Sequence, residues 1–195
     1  MFDLNDEKQF GGAPSILNGG EAGLVKNVKV SVEKKEASDT SNNPDYKVFF
    51  EDDQGKVNEG FYYHKDNDQK NEEQNKAAEK RLVGRVLSIA KSVLGKDYVF
   101  PDVAGKTSSE VIDILFNLVN QNAEGKLVNV YVTYGNKGYA SQYLGVRYFD
   151  FIEPAGTEPT TLKPKNDDIL ERITPEETPD AFAATETSTG SDSWM

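Results

Sequence analysis

The chain has 195 residues and a formal net charge of −11, from 33 acidic and 22 basic side chains. Apolar residues make up 36% of it, which predicts one modest core flanked by polar segments. No apolar run approaches the roughly 18 residues of a membrane-spanning helix, and we expect no signal peptide. With no cysteine and one histidine, His64, the chain cannot build disulfides, thiolate sites or a multi-histidine zinc site.

Charge and composition change near Gly156. Residues 157–195 carry nine acidic and three basic side chains and are rich in Thr, Pro and Ser. Such a segment buries too little apolar surface to offset its ordering entropy, which predicts a disordered acidic tail. Four glycines around Pro14 predict a flexible arm over residues 1–20. The folded domain is therefore expected at 21–156.

Three strands are predicted in the first part of this domain. Val28, Val30 and Val32 alternate with polar residues within 24–33, which is typical of a strand with one buried face. Residues 46–51 form a second predicted strand. A turn at 52–55 then leads to a third strand, predicted over 60–64.

Two helices and two further strands follow. Apolar residues recur at helical spacing between 72 and 94, with Gly95 as a stop. Thr107 and Glu110 predict a capping box for a second helix that ends before Gly125, with Val111, Leu115 and Leu118 or Val119 on its buried face. Residues 127–134 and 143–152 predict the last two strands. Helices between the third and fourth of five strands match the order of an OB-fold, a small Greek-key barrel, although other arrangements of these elements stay open.

The solvent side of these strands is predicted to carry aromatic rings and cations. Bases stack on aromatic rings and cations follow phosphates, so the combination favours a sequence-tolerant binder of single strands. Each ring could instead close a small core, because aromatic residues have high strand propensity. The candidate single-stranded DNA site comprises Lys29, Lys47, Phe49, Tyr62, His64, Lys65, Tyr131, Tyr134, Lys137, Tyr139, Tyr143 and Arg147.

No pattern in the chain indicates catalysis. The acidic groups at 52–53 and 66–68 are typical of turns, and the glycine pairs lack the Lys-Ser/Thr of a phosphate loop. The basic residues of the first helix alternate with glutamates, which indicates a solvated face. We therefore expect no enzyme activity, no metal and no cofactor.

The layout resembles the single-stranded-DNA-binding proteins of tailed bacteriophages. The resemblance rests on strands rich in Tyr, Phe and Lys over 47–65 and 128–151, and on an acidic tail that ends in Asp192, Trp194 and Met195. It implies coating of single strands in replication, recombination or repair, in the cytoplasm of a bacterial host. It also implies that the tail competes with DNA for the groove and recruits replication or recombination proteins through those three residues.

Two other functions stay open at this stage. The barrel could serve as a protein interface in a phage virion or accessory protein, or acidic residues could bind a divalent metal in a small nuclease. The second helix could form a homodimer contact. A membrane partner is not expected.

Overall fold

The computed structural model describes residues 16, 22–35, 44–65, 67–134, 142–144 and 151–163. Within these residues the chain forms an antiparallel sheet and two helices, and both helices lie between the third and fourth strands, as predicted. In chain order the elements are β1 (Gly23–Lys34), β2 (Tyr46–Glu51), β3 (Lys56–Phe61), α1 (Glu72–Leu94), α2 (Ser108–Asn122), β4 (Leu127–Tyr134), β5 (Gln142–Leu144) and β6 (Ile152–Pro154).

The sheet is built around β1 and β4. Its strand order is β3-β2-β1-β4-β5, and β6 pairs with another part of β4. The strand predicted over 143–152 is therefore represented by two short strands, both antiparallel to β4. Some Cα atoms of β3 and β5 lie within 8 Å of each other, but the ladders of the described residues do not join these two strands. These ladders form an open sheet.

The third strand begins earlier than predicted, at Lys56 instead of residue 60. The Asp52 carboxylate accepts hydrogen bonds from the backbone N–H groups of Gln54 (2.9 Å) and Gly55 (3.0 Å), which closes the turn within four residues. Pairing therefore starts at Glu51 and Lys56. The strand also ends earlier, because the residues from 62 to 64 follow β3 and do not belong to it.

Both helices begin and end where their caps predict. Asn71 caps α1 and Gly95 ends it with a φ of 95°, a value that favours glycine. Thr107 and Glu110 form the predicted capping box of α2. The buried face of α2 is rotated by about one residue from the prediction, since Val111 and Leu118 are only half-buried. Its fully buried residues are Ile112, Leu115, Phe116 and Val119.

The core lies between the helices and one side of the sheet. Phe116 of α2 packs its ring against Tyr46 of β2 (centroids 4.6 Å apart) and Phe61 of β3 (5.4 Å). The Val32 N–H of β1 donates to the Asn120 side chain of α2 at 3.2 Å, so the helix is also hydrogen-bonded to the sheet. In the described part of the chain, neither helix is long and apolar enough to cross a bilayer.

The packed region extends beyond the expected boundary at residue 156. Leu162 is only 4% exposed, and Thr160 and Thr161 both bond to Glu153. At the other end Ile16, within the predicted flexible arm, is 2% exposed and belongs to the core. The rest of the arm up to residue 21 and the tail from residue 164 lie outside the described residues.

Glu153 of β6 attaches the segment 157–163 to the sheet. Its carboxylate accepts hydrogen bonds from the Asn129 amide (3.1 Å), the Thr160 hydroxyl (2.7 Å), and the Thr161 N–H (2.9 Å) and hydroxyl (2.8 Å). Burial acts to raise the pKa of Glu153, but these hydrogen bonds outweigh it and hold the pKa below its ordinary value. The carboxylate thus stays charged inside the protein, and among the described residues its partners are hydrogen-bond donors and not cations.

Candidate nucleic-acid interface

The side of β1, β2 and β3 that faces away from the helices is a continuous polar and aromatic surface, here called the outer face. Strand alternation separates it from the core side, because the valines of β1 and Val48 and Phe50 of β2 are buried. The register aligns its side chains in three cross-strand rows: Lys29, Glu51 and Lys56; Ser31, Phe49 and Asn58; and Glu33, Lys47 and Gly60.

The outer face carries three lysines against two glutamates, so its net charge is positive although the chain as a whole is strongly acidic. One glutamate, Glu33, forms an ion pair with Lys35 at the end of β1. The other, Glu51, has a lysine as its cross-strand neighbour on either side. Cations therefore surround the centre of the face, where Phe49 lies.

Phe49 is half-buried and its ring contacts a lysine. The Lys56 ammonium lies over the ring, 5.7 Å from its centroid, in a cation–π contact. The cross-strand neighbours of Phe49 are Ser31 and Asn58, which are both short and exposed. Neither of the residues directly opposite Phe49 therefore covers the ring with a large side chain.

A second ring, Tyr62, lies at the end of the outer face. It is 52% exposed and packs against Gly60, where an added Cβ would lie 3.6 Å from the Tyr62 ring and 3.0 Å from Pro44. A side chain at position 60 would therefore crowd Pro44, while its contact with the ring would be of ordinary length. Lys47 is the cross-strand partner of Gly60, so the lysine and the Tyr62 ring both neighbour this glycine.

The next residue, Tyr63, fixes this end of β3 from the opposite side of the sheet. Its N–H donates to the Asp45 carboxylate at 2.7 Å, and its hydroxyl donates to Asp113 of α2. Asp113 also accepts from the Tyr46 hydroxyl (2.6 Å) and the Lys34 ammonium (3.1 Å). The carboxylate thus joins β1, β2 and the chain after β3 to α2.

These contacts shift the pKa values of the groups around Asp113. Burial acts to raise the pKa of Asp113, but hydrogen bonds from Tyr46, Tyr63 and Lys34 outweigh it and lower the pKa. Burial and the hydrogen bond to Asp113 raise the pKa of Tyr46 and of Tyr63. The two phenols therefore remain donors and the carboxylate remains an acceptor around neutral pH.

Two predicted binding residues, Tyr131 and Tyr134, are buried, and the prediction that their rings face solvent is wrong. Tyr131 is 8% exposed and Tyr134, at 4%, belongs to the hydrophobic core. The residues of β4 from Val128 to Tyr134 are all buried, so this strand is covered on both of its faces and not on one. The segment bound by Glu153 adds cover near Asn129.

The other predicted site residues divide into four groups. Lys29, Lys47, Phe49 and Tyr62 come together on or beside the outer face. His64 instead lines a depression near the first turns of both helices, with Asn75 and Thr107, and Lys65 is exposed after β3. Tyr143 is placed in β5 by its backbone, where it pairs with Thr133. Those that lie outside the described residues are Lys137, Tyr139, Arg147, Asp192, Trp194 and Met195.

Among the outer-face residues that the sequence prediction left out are the two that contact its rings, Lys56 and Gly60. Both belong to the outer face because β3 pairs with β2 from Lys56 onward. The turn predicted at 52–55 determines this register, because a turn of four residues places Glu51 opposite Lys56. Counting outward from the turn, and not from the aromatic run at 61–63, identifies both positions.

Within the part of the chain that the structure describes, no group of three or more His, Cys, Asp or Glu side chains could hold a metal ion. Comparison with protein families, curated proteins and solved structures finds no match to this chain.

Proposed function

We propose that the protein binds single-stranded DNA on the outer face, without catalysis and with little base preference. The observation that supports this best is the presence of an exposed ring, Tyr62, and a half-buried ring, Phe49, among the three lysines of one sheet surface. Stacking of a base on an aromatic ring contributes about 1–3 kcal/mol whatever the base, and lysines beside the rings can neutralise phosphates.

The acidic composition of the chain does not conflict with this proposal. Residues 157–195 have six more acidic than basic side chains, which is more than half of the total charge of −11. Binding of a polyanion depends on the local potential of the surface that it contacts. The outer face has an excess of lysine.

Titration of fluorescent oligo-dT with the wild-type protein and a Tyr62→Ala variant tests the stacking surface. We expect Tyr62→Ala to weaken binding about 5- to 100-fold, the equivalent of one lost base–ring stack. Tyr98→Ala is the matched control, because Tyr98 pairs with Phe100 in the loop between the helices and is not part of the outer face. Equal effects of the two substitutions would contradict the proposed site.

The salt dependence of the same titration tests the cations. We expect affinity to fall steeply with salt, and Lys47→Ala to reduce the slope of log K against log salt by about 0.7, the value for one phosphate contact on a single strand. Lys80→Ala, an exposed helix residue, should leave the slope unchanged. A wild-type protein that fails to bind at micromolar concentration would instead favour a role for the sheet as a protein interface.

We further propose that the sheet closes into an OB-fold-like barrel through β3 and β5. The strand order and the approach of these strands to within 8 Å both support closure. Nuclear Overhauser contacts between the backbone protons of β3 and β5 would be the direct test. Full solvent exchange of the β3 amides that point away from β2 would contradict it.

The acidic tail is proposed to compete with DNA for the outer face and to recruit replication or recombination proteins, as in the phage proteins that the chain resembles. Covalent attachment to the domain keeps the tail at high effective concentration near the face. Truncation after Lys163 should therefore raise affinity for oligo-dT, most strongly at low salt. Unchanged affinity at every salt concentration would refute the competition.

A further inference from the structure

We propose that Lys56 alternates between two partners, the Phe49 ring in the free protein and a DNA phosphate in the complex, and so acts as a displaceable cover of the stacking site. This inference rests on the proposed function of the outer face and names a regulation of it. Lys56 is not among the binding residues that the sequence predicts.

The geometry requires the lysine to move. The Lys56 ammonium lies over the Phe49 ring at 5.7 Å from the centroid, within the distance at which a cation is attracted to the ring face. A base that stacks on Phe49 occupies the same space. The ammonium must therefore leave the ring before a base can stack there.

After it leaves the ring, the Lys56 ammonium can contact a phosphate of the bound strand. Lys56 is exposed and sits on a flexible four-carbon stem in the outermost strand of the described ladder, β3. A single strand that stacks on Phe49 brings its phosphates beside the ring. The contact that is lost on the ring is thereby replaced by a contact with a phosphate.

Lys29 provides an internal comparison. Lys29 and Lys56 are both exposed, and they are the two cross-strand neighbours of Glu51. Removal of either one deletes the same charge beside the same carboxylate. Among the described residues, however, only Lys56 of the two contacts an aromatic ring.

Lys56 therefore has two opposite effects on affinity, which differ in their response to salt. Its phosphate contact favours binding and weakens as salt rises, because the counterion release that drives it decreases. Its ring contact opposes binding and depends much less on salt, since it is a short-range contact at the protein surface. The net effect of Lys56 should change sign between low and high salt.

The experiment compares oligo-dT affinity of wild type, Lys56→Ala and Lys29→Ala over a salt series from about 50 to about 500 mM. We expect both variants to bind more weakly than wild type at low salt. At high salt Lys29→Ala should converge on wild type, whereas Lys56→Ala should bind about 2- to 5-fold more tightly. Parallel curves for the two variants would overturn the inference.

A second measurement does not depend on binding. In the free protein, NMR should show the side-chain methylene protons of Lys56 shifted upfield by the Phe49 ring current, and Phe49→Leu should abolish that shift. Saturation with oligo-dT should abolish it in the wild type too. Absence of the upfield shift of Lys56 would overturn the proposed cover. Presence of the upfield shift in a protein that binds no oligonucleotide would overturn the proposed function and leave the lysine–ring contact intact.

Discussion

The Asp113 side chain connects α2 to three parts of the sheet region. Its carboxylate accepts from Lys34 of β1, Tyr46 of β2 and Tyr63 after β3, while its backbone belongs to α2. Tyr63 is next to Tyr62, so the network also fixes the backbone that presents the exposed ring. One carboxylate on the core side thus supports the proposed binding surface on the other side.

Replacement of Asp113 by Asn should destabilise the fold. An amide oxygen is a weaker acceptor than a carboxylate, so we expect Asp113→Asn to lower the free energy of unfolding by about 1–2 kcal/mol in urea titration at neutral pH. Asp97→Asn, at an exposed position after α1, is the control and should have an effect below about 0.5 kcal/mol. Comparable losses in both variants would contradict the role of the network.

The pH dependence of this loss follows from the lowered pKa of Asp113. A carboxyl whose pKa is lower in the folded than in the unfolded protein stabilises the fold above its unfolded pKa, about 4, and loses that contribution as the pH falls through the folded value. The difference in unfolding free energy between wild type and Asp113→Asn should therefore shrink below about pH 4. A difference that grows on acidification would contradict the assigned shift.

Individual residues were predictable where one side of a strand meets solvent. The alternation in β2 correctly placed Lys47 and Phe49 outward because only one face of that strand is covered. The same argument failed for Tyr131, since β4 is buried on both faces. Tyrosine and threonine tolerate burial once their polar atoms are bonded, so their presence in a strand does not distinguish the two environments.

At the scale of elements, an ion pair joins the first helix to the third strand. The Arg85 guanidinium of α1 bonds to the Glu59 carboxylate of β3 at 3.1 Å and lies 5.1 Å from the centroid of the Phe61 ring. Burial raises the pKa of Glu59 and lowers that of Arg85, and their mutual attraction opposes both shifts. Each charge therefore depends on the other.

Removal of one partner of the Arg85–Glu59 pair should lower the free energy of unfolding more than removal of both. We expect Arg85→Met to lower the free energy of unfolding by about 2 kcal/mol, because it leaves Glu59 mostly buried and unpaired. Adding Glu59→Leu to that variant should restore most of the loss. Lys76→Met, which breaks the exposed Glu72–Lys76 pair of α1, should cost below about 0.5 kcal/mol. A double variant with a lower free energy of unfolding than Arg85→Met would contradict this account.

The boundaries of elements were predicted well where a local signal ends them. Gly95 and the Thr107–Glu110 box define the helix ends, and both lie in the sequence itself. The division of the last strand into β5 and β6 instead depends on how each part pairs with β4. Strand pairing is a tertiary property, which a single segment does not encode.

At the scale of the whole molecule, the end of the domain is set by Glu153 and not by composition. The segment 157–163 has the polar composition of the tail, yet two of its three threonines, Thr160 and Thr161, supply three of the four hydrogen bonds described for the buried carboxylate. A buried charge is costly unless it is hydrogen-bonded. The hydrogen bonds to Glu153 therefore order the segment 157–163, although its apolar content alone would not order it.

Two truncations separate this segment from the remaining tail. A chain that ends at Lys163 should unfold at the same urea concentration as the full protein. A chain that ends at Gly156 should lose about 3 kcal/mol, because Glu153 is left with only Asn129 as a partner among the described contacts. Glu153→Gln in the full chain should also lower the free energy of unfolding, but by less. Equal stability of the two truncated chains would contradict this boundary.

One further consequence follows from the bulge in β1, where Asn27 has a left-handed φ of 59°. Asn tolerates this conformation far better than a β-branched residue does. β1 pairs with β4 on both sides of the bulge and with β2 from Lys29 onward. The Asn27 N–H donates to the Asn129 side-chain oxygen at 3.3 Å. Asn27 therefore sets the bend of β1 where this strand enters the proposed binding surface: glycine there should preserve the bend, and valine should remove it.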